Sequence, residues 1–250
     1  MRKNFMCLLI LFTFLAAQSE AKVSSSRSSQ EAFMKIARAF VEKHILPDGE
    51  RIDKDELLFS DFSNNEIAVC DVDNDGRQEL LIRFKSGSMV SQREFICGFN
   101  RKTGRVRIKF TCFPATEYFS NGCIKELTSH NHGLAGEFWP YSFSKYNSQT
   151  GKYEYTGSVD AWSKEAFPTN PFDNNEPFPD KIDVTGDGFV YYIDDENFDK
   201  AKDPDSPVDT PVYNEWVNSC IGDAEVININ WLPADKEGLK ALNKALKDIQ

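Results

Sequence analysis

Apolar positions recur every three or four residues at Phe33, Ile36, Ala37, Phe40, Val41 and Ile45. That spacing gathers the six side chains on one stripe and predicts a packing helix. Ser28 with Glu31 three residues on has the form of a capping box, and Pro47-Asp48-Gly49 is the expected stop. From Glu66 to about Trp162 the period shortens to that of strands. Residues 67–70 and 80–82 are short apolar runs on either side of an acidic turn. Residues 93–99 and 105–113 predict a hairpin closed by Asn100-Arg101-Lys102-Thr103-Gly104, with Val106, Ile108 and Phe110 alternating with Arg105, Arg107 and Lys109 as on a half-solvated strand. Residues 138–146 and 152–162 repeat the device through Asn147-Ser148-Gln149-Thr150-Gly151, an internal echo in turn chemistry.

Beyond this the signals are shorter. Residues 167–180 carry four prolines and predict a long surface loop without regular structure. Residues 190–193 predict a strand, and 203–209 another loop. Thr210-Pro211 predicts a helix with Thr210 as N-cap and Pro211 in its first turn, ending at Gly222. Residues 226–231 alternate like a last strand, and Leu239, Leu242, Leu246 and Ile249 mark an amphipathic C-terminal helix. The expected fold is α+β, mainly antiparallel β, with propeller-like hairpins that do not make a complete propeller, an N-terminal helix and C-terminal helices.

The 250 residues are 40% hydrophobic, enough for a core, and the first of them read as an address. Arg2 and Lys3 precede an apolar run of 13 residues, Phe5 to Ala17, too short for a comfortable membrane span. Ser19 and Ala21 suit signal peptidase, so the expected organisation is a signal peptide at 1–21, a polar leader at 22–29 and a single α+β domain at 30–250. The protein is expected to be secreted or periplasmic, with no membrane insertion after cleavage. A formal charge of −10 offers no counterion-releasing surface, which argues against nucleic acid as a partner. Cys70, Cys97, Cys112, Cys123 and Cys220 show no CxxC spacing and are read as small buried hydrophobes, with their pairing left open.

The strongest chemical signal is Asp71-Val72-Asp73-Asn74-Asp75-Gly76-Arg77-Gln78-Glu79. Carboxylates at positions 1, 3, 5 and 9 of a tight loop converge, and Ca²⁺ takes six to eight oxygens at about 2.3–2.6 Å. The expected ligands are Asp71, Asp73, Asp75, Arg77 through its main-chain carbonyl, and Glu79, with Gly76 permitting the sharp turn. Ile82 stands where an EF-hand has its bidentate glutamate, so the expected role is structural rather than sensory. The segment from Val69 to Ile82 resembles the strand, calcium loop and strand of FG-GAP or VCBS-type repeats. That resemblance implies a β-propeller blade whose DxDxDG loop and ninth position hold calcium. One full loop is far short of a ring of blades, which limits the expectation to an isolated propeller-like sheet. The order of this loop, Ser129 to Gly136, Ser158 to Trp162, and Gly186-Asp187-Gly188 before Tyr191-Tyr192 is similar to uncharacterised exported proteins of gut bacteria. This second resemblance implies export and calcium but no activity.

Weaker constellations remain. Asp183-Val184-Thr185-Gly186-Asp187-Gly188 keeps only two of the acids and is read as a Gly-rich β-turn. His130 and His132 lack a third zinc ligand at suitable spacing. Glu137 and Asp160 beside Trp139 and Trp162 would suit glycan binding or hydrolysis, which needs rings to stack on sugars and two carboxylates. No GxSxG, HExxH, phosphate loop or dinucleotide fingerprint occurs, and no catalytic residue is assigned. The reading is a calcium-stabilised, non-enzymatic domain that binds an extracellular or envelope ligand, a glycan or an envelope protein. Its alternative is a secreted glycan-acting hydrolase or glycan-binding protein.

Overall fold

The computed structural model of the protein describes residues 28–58, 61–131, 133–201 and 203–248, so the signal-peptide expectation and Ile249 lie outside it. Two five-stranded antiparallel sheets carry the fold. Sheet I is built from β1 (Glu66–Cys70), β2 (Glu79–Phe84), β3 (Arg93–Asn100), β4 (Arg105–Cys112) and, from the far end of the chain, β12 (Leu232–Pro233), in the order β12-β1-β2-β3-β4. Sheet II contains β5 (Thr116–Tyr118), β6 (Cys123–Leu127), β7 (Tyr141–Asn147), β8 (Lys152–Ser163) and β11 (Phe189–Asp194), in the order β11-β8-β7-β6-β5. Neither sheet closes into a barrel or a propeller. The two Asn-x-x-Thr-Gly turns match in geometry as in sequence: Gly104 and Gly151 both have φ 66°, and each donates its N–H to the carbonyl of the asparagine four residues back.

Strand alternation explains the layers. Ile67, Leu80, Ile82, Phe84, Phe95 and Cys97 face outward from sheet I onto two helices, α1 (28–43) and α3 (Lys236–Asp248). Phe33, Ala37, Phe40, Leu239, Leu242 and Leu246 fill the space between. The other face of sheet I, through Ala68, Leu81 and Ile96, meets Tyr118, Ile124 and Tyr153 of sheet II. The outer face of sheet II packs Tyr141, Phe143, Val159, Ala161 and Ile193 against α2 (Thr210–Ile221), whose Trp216 is fully buried and donates its indole N–H to Asp195 at 2.9 Å. The order through the molecule is therefore helices, sheet, sheet, helix.

Several expectations are corrected. Ser28 and Ser29 belong to α1 and not to a leader, and Ser28 is helical rather than the N-cap. The helix ends at residue 43, before Pro47 is reached, because His44 turns left-handed (φ 54°) and donates its N–H to Phe40 O. Asp209, not Thr210, caps α2 and accepts the Thr210 N–H. The proline-rich loop holds one minimal ladder, β9 (Thr169–Asn170) with β10 (Glu176–Pro177), and buries Phe178 against Trp162. β5 and β6 were not anticipated, being short and lacking a continuous apolar run. Residues 226–231 are not a strand but an extended strap. Ile227, Ile229 and Trp231 pack inward, Val226 makes a single bridge to Phe119 of sheet II, and pairing with β1 begins only at Leu232. A segment that crosses from one sheet to the other cannot keep a ladder with either. All five described cysteines are free thiols; Cys70 is half-buried and the other four are buried.

Where the strap passes sheet I, Arg83 lies 3.9 Å over the Trp231 ring and ion-pairs with Glu94, which also accepts the Tyr118 hydroxyl proton. Burial pushes the Glu94 carboxyl up to about 6, although Arg83 pulls the other way. A carboxyl raised in the fold binds its proton more tightly there than in the unfolded chain. Its contribution to stability is therefore complete below pH 4.5 and is lost as the pH rises through about 6. Urea titrations across that window should show about 2 kcal/mol lost from this group. The Glu94→Gln variant should lack that slope; an unchanged slope would assign it elsewhere.

Candidate metal centre

The connection between β1 and β2 curls because Asn74 and Gly76 take left-handed backbone angles, φ 57° and 78°. These residue types are the least strained there. Asp71 Oδ2 accepts the Gly76 N–H at 2.9 Å, Asp73 Oδ1 the Asp75 N–H at 3.2 Å, and Glu79 Oε2 the Val72 N–H at 3.3 Å. So oriented, Asp71, Asp73 and Glu79 each place one oxygen within 4.8 Å of the others. Three carboxylate oxygens this close could be bridged by one metal ion. Asp71 Oδ1 and Asp75 Oδ1 are shut off from solvent and have no hydrogen-bond partner among the described residues. Such orphaned acceptors cost about 1–3 kcal/mol each, which coordination would relieve. Arg77 is exposed on the loop, and the convergence involves three of the four acids, with Asp75 beside them.

Lys109 was missed. Its Nζ ion-pairs with Asp73, lies 2.7 Å from Glu79 Oε1 and 3.7 Å from Asp75 Oδ2, and sits 4.9 Å from the Tyr146 ring centroid. It starts on β4, reaching the loop by lying across Gly98 of β3, where a Cβ would collide with its aliphatic chain. On the sequence Lys109 looks like one more solvated cation of an alternating strand. The legible signal was Gly98, since a glycine inside a strand marks close approach by another group.

The electrostatics are unbalanced. Burial raises the Asp73 carboxyl and pushes Glu79 up to about 8; Lys109 opposes both shifts and neighbouring carboxylates reinforce them. Burial also works against the Lys109 charge, but Glu79 and Asp73 more than offset it and hold the ammonium protonated. One ammonium stands among four carboxyl groups, two of which burial pushes toward the protonated form.

The loop is wedged between the sheets. Tyr153 on β8 donates its hydroxyl to Val72 O at 3.3 Å, and Gly122, before β6, comes so close that a Cβ there would stand 2.9 Å from Asp73 O. The centre therefore touches both halves of the molecule.

The other candidates disperse. Asp183 accepts the N–H groups of Gly186, Asp187 and Gly188, while Asp187 and Asp209 bond Thr210 and Thr185, so these acids tie a turn to the start of α2. His130 Nδ1 lies 2.7 Å from Ser129 Oγ, and His132 is outside the described residues. Trp162 is 2% exposed, donates to Phe167 O and belongs to the core, so it cannot offer a face to a sugar. Asp160, raised by burial, lines an open cleft of about 940 Å³ with Glu126, His130 and Ser142. Glu137 and Trp139 are not among its lining residues. Among the described residues no helix is long and apolar enough to cross a membrane. Compared with family models, curated proteins and solved structures, the chain shows no match.

Proposed function

We propose that the protein is an exported, calcium-stabilised binding domain, with Asp71, Asp73, Asp75, Glu79 and the Arg77 carbonyl holding Ca²⁺ at the junction of its two sheets. The observation that carries the reading is the convergence of Asp71, Asp73 and Glu79 within 4.8 Å, beside two buried carboxylate oxygens that have no hydrogen-bond partner among the described residues. An all-oxygen donor set of carboxylates suits a hard cation, and Ca²⁺ tolerates the mixed geometry better than Mg²⁺. Export rests on the Arg2-Lys3 start, the short apolar run and Ala21. The ligand is read as extracellular, a glycan or an envelope protein.

Calorimetric titration of Ca²⁺ into chelator-treated protein should show one saturable site, lost in Asp73→Asn. Absence of heat, or an isotherm indifferent to Asp73, would leave the loop without its ion. A second reading is favoured by the Lys109 contacts: the ammonium is itself the permanent counter-ion. It predicts no such isotherm in the wild type.

A further inference from the structure

Beside the acidic loop lies a cleft of about 210 Å³ bordered by α1, the β1–β2 loop, β4 and β7, and three arginines line it: Arg77, Arg101 and Arg107. Arg77 and Arg101 make no hydrogen bond or ion pair among the described residues. Arg107 is positioned by a neutral group, donating from Nη2 to Gly151 O at 3.0 Å, and Gly151 lacks the Cβ that would collide with it. Acids outnumber bases in this chain by 39 to 29, so three guanidiniums with no carboxylate partner among the described residues around one cleft do not reflect a shortage of acids. Phe99 and Tyr146 supply an apolar wall.

We infer that this cleft binds an oxyanion carried on an aromatic or apolar body. Guanidinium forks match the paired oxygens of phosphate, sulfate or carboxylate, and Arg107 is already set in place. The rings of Phe99 and Tyr146 take the body of the ligand. Asp75 and Glu79 also line the cleft and oppose an anion. A divalent ion in the loop cancels their field at a range well inside the Debye length, so calcium and the anion bind with positive coupling. This last step alone rests on the calcium reading.

The test titrates the protein with phenyl phosphate, phenyl sulfate and benzoate, in calcium and in chelator, with inorganic phosphate as the probe without a body. At least one aryl oxyanion should bind saturably and more tightly than inorganic phosphate; the three probes distinguish the head groups. Arg101→Gln and Arg107→Gln should each weaken it about tenfold or more, the scale of one lost charge-assisted hydrogen bond. Arg101→Glu should weaken it further, with the fold checked by circular dichroism. Calcium should strengthen binding about tenfold. No saturable binding by any probe, or binding indifferent to both arginines, would overturn the inference. Arginine-dependent binding that ignores calcium in a protein that does bind calcium would overturn the coupling. The same binding in a protein that takes up no calcium would sustain the cleft and remove the calcium reading.

Discussion

Lys109→Met, assayed in chelator, should lose about 3–5 kcal/mol of stability, the range for breaking a buried ion pair while leaving its carboxylates behind. Asp73 and Glu79 are 4% and 1% exposed, so neither regains full hydration when the ammonium goes. For a protein of this size that corresponds to a fall in Tm of roughly 10 °C. Calcium should reverse most of the loss and bind the variant more tightly than the wild type, because the ammonium that stands on the same oxygens is gone. Gly98→Ala should move in the same direction by a smaller amount, since its new Cβ pushes the lysine chain off its track while leaving its charge in the molecule. An equal loss for Lys109→Met with and without calcium would mean that the ammonium, and no metal, is the working cation of the loop.

The second large effect is the response of the wild type to calcium itself. At a hundredfold excess over Kd, binding restricted to the folded state adds about 2.7 kcal/mol, a rise in Tm of roughly 5–10 °C. Asp73→Asn should abolish the rise, and magnesium should give much less of it because it holds its water and demands octahedral geometry. Because the loop touches Tyr153 of sheet II and Gly122 in the turn before β6, the gain should appear as one cooperative transition shifted upward rather than as a new, earlier phase. Superimposable melting curves in calcium and in chelator would remove the proposed function.

What the chain declared in advance follows from how locally each feature is encoded. The α1 stripe, the two matching hairpins, the α3 leucines and the acidic nonapeptide are each written within a short window, where periodicity and turn chemistry decide the structure. The misses depend on distant partners. β5 is three residues long and exists because Glu117 and its neighbours pair with β6; nothing in Thr116-Glu117-Tyr118 alone announces a strand. Residues 226–231 alternate as a strand would, and Ile227, Ile229 and Trp231 are the partly buried side of that alternation, yet the segment crosses between the sheets and makes no ladder of its own. The candidate site divides in the same way. Its acids are contiguous and were legible, whereas Lys109 arrives from a strand 30 residues beyond Glu79, and the register that brings it over Gly98 belongs to the sheet. Trp162 stood open between core and sugar platform, because an aromatic beside an acid looks alike whether its ring faces Phe178 or solvent.

The distribution of sheet I along the chain also dictates an order of assembly. Its inner strands are synthesised early, but β12 and α3, which supply an edge and half of its outer covering, come from residues 232–248. A nascent chain therefore carries an incomplete first half until nearly all of it has emerged, while the hairpins of the second half already have their neighbours. The portion made first is the portion closed last, and a polypeptide truncated before Leu232 should remain a client of chaperones and proteases however well its later hairpins have formed.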